Sequence, residues 1–152
     1  MIQEYKELLL KDLCARLPYS VKVQFKTNSV IENKYKFIYN VDGEYEYINI
    51  GKSNLTLDII KMLSNNCIDD IKPYLFPLSS MTSEQLFEVQ EILGKNEIEI
   101  GDGFLHIIDS DRNTITYLEI LALLEWFYKN HFDVNNLIYM GLAIDATNLN
   151  VY

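Results

Sequence analysis

The sequence predicts an α+β fold: a small, mostly antiparallel sheet packed against about four helices, in a single domain over residues 1–152. Three observations carry that expectation. Apolar runs with helical period and apolar runs with period two occupy separate stretches and do not alternate as βαβ units. Asp42-Gly43 sits between two strand-like runs, the signature of a two-residue type I′ hairpin. Thr82 with Gln85 and Thr116 with Glu119 each have the spacing of a capping box at a helix start.

Residues 2–17 read as an amphipathic helix. Ile2, Tyr5, Leu9, Leu13 and Leu17 recur at helical spacing with Leu10 and Cys14 beside them. That reading makes Cys14 a core thiol and puts Glu4, Glu7, Lys11 and Asp12 on the wet face, and Pro18 ends the helix. Val21, Val23 and Phe25 alternate with Lys22, Gln24 and Lys26, a half-buried strand, and a polar turn follows over 27–33. A tight Asp42-Gly43 turn sets Val41 against Glu44, Tyr39 against Glu46, Phe37 against Ile48 and Tyr35 against Ile50. One face of the hairpin, with Phe37, Tyr39, Val41 and Ile48, is apolar enough to be core. The other holds Lys36, Tyr45 and Tyr47.

Leu57, Ile59, Ile60 and Leu63 suggest a short helix after Thr56. Pro73 and Pro77 bracket an extended segment. A helix from Thr82 to about Leu93 stops at Gly94. Two short strands, 97–100 and 104–108, flank Gly101-Asp102-Gly103. The helix after Thr116 is apolar around nearly its whole circumference, with only Glu119, Glu125 and Lys129 charged. Such a helix is expected to be the central core helix; the other reading is a surface over Leu118–Tyr128 shared by two copies in a homodimer. Asp133 is expected to cap a last short helix through Met140, and the apolar tail from Leu142 to Tyr152 to be tied to the body.

The chain is 49% hydrophobic with 11 Tyr and 7 Phe against 6 Gly and 3 Pro, which favours packed elements over disorder. Its net charge is −9, which opposes binding to duplex nucleic acid. The charge is uneven. Over 18–41, Lys22, Lys26, Lys34 and Lys36 face Glu32 alone, a local +3, whereas 42–152 carry 18 acids and 6 bases, a local −12. Two cysteines, Cys14 and Cys67, are too few for a disulfide framework, and no apolar run spans a membrane, so the expected setting is the cytoplasm.

Catalytic and metal signatures are sparse. His106 and His131 are the two histidines, and neither cysteine lies in a nucleophile motif. His131 and Asp133 straddle a helix exit. A histidine there suits the helix dipole, and an aspartate starting the next element suits a cap, so both are binding candidates only in second place to those roles. Asp109-Ser110-Asp111-Arg112-Asn113 opens like a calcium loop, but Thr114 stands where Gly is needed and Ile120 where the bidentate Glu belongs. No metal or cofactor is expected. The hairpin face with Lys36, Tyr45 and Tyr47 is the feature best suited to stack on a nucleotide-like ligand.

Four blocks also carry a resemblance. They are Asp12-Leu13-Cys14-Ala15-Arg16-Leu17-Pro18-Tyr19; Asp70-Ile71-Lys72-Pro73-Tyr74-Leu75 through Ser79-Ser80-Met81-Thr82; His131-Phe132-Asp133; and Gly141-Leu142-Ala143-Ile144-Asp145-Ala146. Together they resemble small uncharacterised proteins of Bacteroidetes phages, prophages and other mobile elements. The resemblance spans most of the chain except 83–115. It implies genetic context and brings no functional residue with it. The leading expectation is thus a non-enzymatic interaction protein that binds a host or phage protein. A small-molecule binder using the aromatic hairpin is the alternative, and an enzyme with a scattered carboxylate and His131 site comes third.

Overall fold

A computed structural model describes residues 3–27, 37–41, 44–64, 70–94, 97–101, 104–108 and 115–152. The chain opens with α1 (Gln3–Arg16), ended by a 3-10 turn (Leu17–Tyr19) whose Pro18 cannot continue an α-helix. Strands β1 (Lys22–Thr27), β2 (Phe37–Val41) and β3 (Glu44–Asn54) lead to α2 (Leu57–Ser64) and β4 (Asp70–Leu75). Then come α3 (Ser83–Ile92), β5 (Glu97–Gly101), β6 (Phe104–Ile108), α4 (Tyr117–Lys129) and β7 (Ile144–Asp145). The class is α+β as expected.

Five strands form one sheet in the order β2-β3-β1-β4-β7, and β5 with β6 forms a separate two-stranded sheet. All pairings are antiparallel except β4 with β7. The hairpin register is the one a two-residue loop demands: Val41 opposite Glu44, Tyr39 opposite Glu46, Phe37 opposite Ile48. Asp42, Gly43, Tyr35 and Lys36 lie outside the described residues, as do the side chains of 26–50 and hence the expected apolar hairpin face. Thr27 ends β1, and the rest of the turn expected over 27–33 is also outside them, with Cys67 and the calcium-like stretch 109–114.

Both capping boxes form. Thr82 accepts from the Gln85 N–H at 3.3 Å while Gln85 accepts from the Thr82 N–H at 2.9 Å. Thr116 and Glu119 make the same exchange at 3.3 and 2.6 Å. Each box satisfies two backbone donors that a helix start leaves unpaired. Gly94 closes the α3 end at φ 65, a conformation open to it because it lacks a Cβ.

Three expectations are overturned. Cys14 is exposed and Asp12 buried, because the buried stripe of α1 is Leu9, Asp12, Leu13 and Arg16. The segment from Asp133 to Met140 is a run of turns, not a helix: Asn136 sits at φ 57, which breaks the helical path, and the Asp133 carboxylate takes the N–H groups of Leu137 and Ile138. The helix α4 is not a central core helix. It buries Leu123 and Phe127 but leaves Tyr117 72% and Leu118 74% exposed.

The buried side chains form two clusters. The first joins Leu9 and Leu13 of α1, Ile60 and Leu63 of α2 and Ile71 and Leu75 of β4 with Leu137 and Leu142 of the tail. The second joins Leu78, Val89, Leu93, Leu123, Phe127 and Phe132. Asp12 and Arg16, both fully buried, lie between them. Arg16 grips Asp12 through Nε at 2.6 Å and Nη2 at 3.1 Å, and its Nη2 also donates to the Phe132 carbonyl at 2.7 Å. The guanidinium lies over the Tyr128 ring at 4.9 Å, and Asn135 donates to Asp12 at 2.8 Å. One side chain from the first cluster's helix thus holds the backbone of the second cluster. Removing one partner strands a buried charge. We expect Asp12→Ala or Arg16→Ala to lower unfolding free energy in urea by about 3–5 kcal/mol, and Asp12→Leu with Arg16→Met to lose much less. Losses under about 1 kcal/mol in both single variants would refute a buried, partnered pair.

Candidate functional site

Of the residues proposed from sequence, His131 and Asp133 come together with this clamp. They lie on the segment leaving α4, where Phe132 bridges Phe76 in parallel. The Phe76 N–H donates to the His131 carbonyl at 2.9 Å, and the Asp133 N–H donates to the Phe76 carbonyl at 2.9 Å. This ladder extends the line of β4 by one residue and pins the α4 exit to the main sheet.

His131 sits at φ 61, a left-handed conformation uncommon for a residue with a Cβ. Its N–H donates to the Tyr128 carbonyl at 3.2 Å, and its ring stacks on Tyr152 at 4.2 Å and 14°. Tyr152 also meets Phe76 at 5.8 Å. Among the described residues the buried imidazole Nδ1 has no hydrogen-bond partner, and neither has the buried Arg16 Nη1. Burial, with the Arg16 charge adding to it, pushes the His131 pKa down to about 4. The helix-end position that suits a histidine by its dipole is opposed here by burial and a nearby guanidinium.

Asp133 is buried, and burial raises its carboxyl above the ordinary carboxylate range against the pull of the Leu137 and Ile138 N–H donors. Those two bonds, 2.9 and 2.8 Å, occupy both oxygens. No hydrogen bond joins His131 to Asp133 among the described residues. Tyr152 is pushed up to about 12, chiefly by burial, so its phenol stays protonated. A neutral imidazole, a carboxylate spent on backbone donors and a protonated phenol make a clasp.

A cleft of ≈ 410 Å³ opens beside His131, lined by Phe76, Thr82, Gln85, Lys129 and Asn130 among others. Thr82 and Gln85 are engaged in their capping box, and Asn130 donates to the Trp126 carbonyl at 2.9 Å, so its polar rim is largely satisfied internally. Among the described residues no group of three or more His, Cys, Asp or Glu is placed to hold a metal ion. No helix among them is long and apolar enough to cross a membrane.

The other sequence candidates are placed differently. Lys36 lies outside the described residues; Tyr45 and Tyr47 lie on β3 opposite Asn40 and Ile38, with their side chains outside the described part. Sequence reading missed Asp12, Arg16 and Tyr152. The signal for the first two was an acid four residues before a base on one helix, which marks a pair but not its burial.

His131 links folding to pH. Its folded pKa lies below the ordinary 6.5, so the unfolded chain takes up the proton first as pH falls. Stability is therefore lost from about pH 6.5 downward, while the raised Asp133 carboxyl acts in the opposite sense at more acid pH. We expect the urea midpoint of the native chain to fall between about pH 6.5 and 5, and that of His131→Asn, which tolerates positive φ, to stay nearly flat there. Equal slopes would contradict a neutral, buried imidazole. Comparison with family models, curated proteins and solved structures finds no match to this chain.

Proposed function

We propose that this chain is a non-enzymatic interaction module of a phage or other mobile element that binds a partner protein in the host cytoplasm through the open side of α4. The carrying observation is the exposure of Tyr117, Leu118, Ile120, Leu121 and Leu124, five large apolar side chains on one helix. Tyr117, Leu121 and Leu124 recur at i, i+4 and i+7, so they share a flank, with Ile120 beside them. Phe87 of the neighbouring α3 is 60% exposed as well. Scattered apolar residues on a surface mean little, but a stripe on one helix has the form of a docking face for another helix or groove.

Charge selects the occupant. Glu125 lies on α4, and Glu84 and Glu88 are exposed on α3, in a chain of net charge −9. A second copy would bring the same acids to the contact, which like-charge repulsion disfavours, whereas a partner with lysines or arginines around an apolar stripe is attracted. The mobile-element setting rests on the block resemblance, and the cytoplasmic setting also on the two-cysteine count with Cys14 a free thiol.

Leu118→Ser with Leu121→Ser tests this, since exposed substitutions shift stability by only about 0.5 kcal/mol. The native chain should be monomeric by light scattering and retain a stoichiometric basic partner from host lysate, and the double variant should lose that partner. A dimer that the double variant dissociates, a partner retained equally by both chains, or no stoichiometric partner would each overturn the proposal.

A further inference from the structure

The sheet carries a second feature, chemically opposite to the acidic surface. The strand order places β1 between β3 and β4, with Lys22 opposite Asn54 and Gln24 opposite both Lys52 and Lys72. Residues directly opposite share a face, and Val23, which alternates with Lys22 and Gln24, is fully buried. Lys22, Lys52 and Lys72 therefore gather on the face turned away from the first core cluster. Lys22 and Lys52 are diagonal neighbours across β1 and β3, a spacing of about 7–8 Å at which like charges repel. Neither makes an ion pair with a carboxylate among the described residues.

Between them lies a cleft of ≈ 250 Å³ lined by Lys22, Lys52, Ser53, Asn54, Tyr74 and Asn150 among others, with no acid among the described lining residues. Its floor is rigid. Tyr74 is 2% exposed, its phenol donates to Gln24 at 3.1 Å, and the Lys52 ammonium stands over its ring at 5.5 Å. Tyr152 ties the floor to the wall: its hydroxyl accepts from the Lys22 N–H at 3.2 Å and donates to the Tyr74 carbonyl at 2.7 Å. The side-chain amides of Asn54 and Asn150 add neutral donors at the rim.

We propose that this cleft binds a small phosphomonoester, with its phosphoryl group between Lys22 and Lys52 and its organic part against Tyr74. Two ammonium groups match the double negative charge of a phosphate monoester, and a bound dianion removes their mutual repulsion. The volume is below that of pockets for drug-sized ligands, so the organic part is small, on the scale of a sugar. This site is independent of the α4 docking face and uses none of its residues.

The test is titration of the full chain with inorganic phosphate and with a pentose phosphate, followed by amide chemical-shift mapping. Saturable shifts at Lys22, Ser53 and Asn54 are expected, weakened about tenfold in Lys22→Gln with Lys52→Gln and unchanged in Lys61→Gln. The ligand-free double variant should keep the native amide spectrum away from the cleft, because both substitutions are at solvent-facing positions of the sheet; lost binding then does not reflect lost folding. Shifts that never saturate, equal binding by the double variant, or succinate bound as tightly as phosphate would overturn the assignment.

Discussion

Arg16 on α1, bound to Asp12 and to the Phe132 carbonyl, ties together two apolar clusters that are otherwise separate. Two apolar clusters on different elements need a fixed relation, and apolar contact alone is non-directional. The guanidinium supplies direction: one edge is locked on Asp12, and one nitrogen reaches the Phe132 carbonyl across a sequence separation of 116 residues. Burying two charges is costly, and the geometry offsets the cost through bidentate bonding, the Asn135 donor and the Tyr128 ring. The same charge reaches outward. Behind burial, which dominates, it adds to the lowering at His131 and pulls Asp133 and Tyr152 down, so a residue on α1 contributes to the electrostatics of the α4 exit.

What was legible in the sequence was local. The hairpin register follows from a two-residue loop, and the capping boxes from Thr82 with Gln85 and Thr116 with Glu119, because those features involve only neighbours in the chain. Tertiary choices were not legible. Counting apolar residues on α1 puts Cys14 inward with Leu10, which does pack on the first cluster, but the helix turns its Asp12 and Arg16 edge to the core, where a carbonyl 116 residues away accepts from the guanidinium. The uniform apolar content of α4 left its inward side undetermined. The side facing α3 is set by Trp126, which donates to Glu88 at 2.8 Å and stacks on Phe132 at 5.6 Å and 8°. That choice leaves Tyr117, Leu118 and Leu121 exposed.

The candidate sites divide along the same line. His131 and Asp133 stand out in sequence as a polar pair beside an aromatic, and the structure gives both side chains to the clasp that joins the α4 exit to β4. The lysine cleft was not visible, because Lys22 belongs to a basic stretch and Lys52 and Lys72 to an acidic one, and only the strand order β3-β1-β4 unites them. Net charge by segment averages such a site away. An acidic chain with an apolar helix flank at one place and a lysine cleft at another presents two chemically distinct faces.

The claim that Arg16 couples the two clusters is tested most directly by following one urea titration with two probes. Trp126, the single tryptophan, reports the second cluster, and far-UV ellipticity reports α1 and α2 along with the rest. The two transitions should coincide in the native chain and separate in Arg16→Ala. Transitions already apart in the native chain, or still coincident in Arg16→Ala, would contradict the coupling.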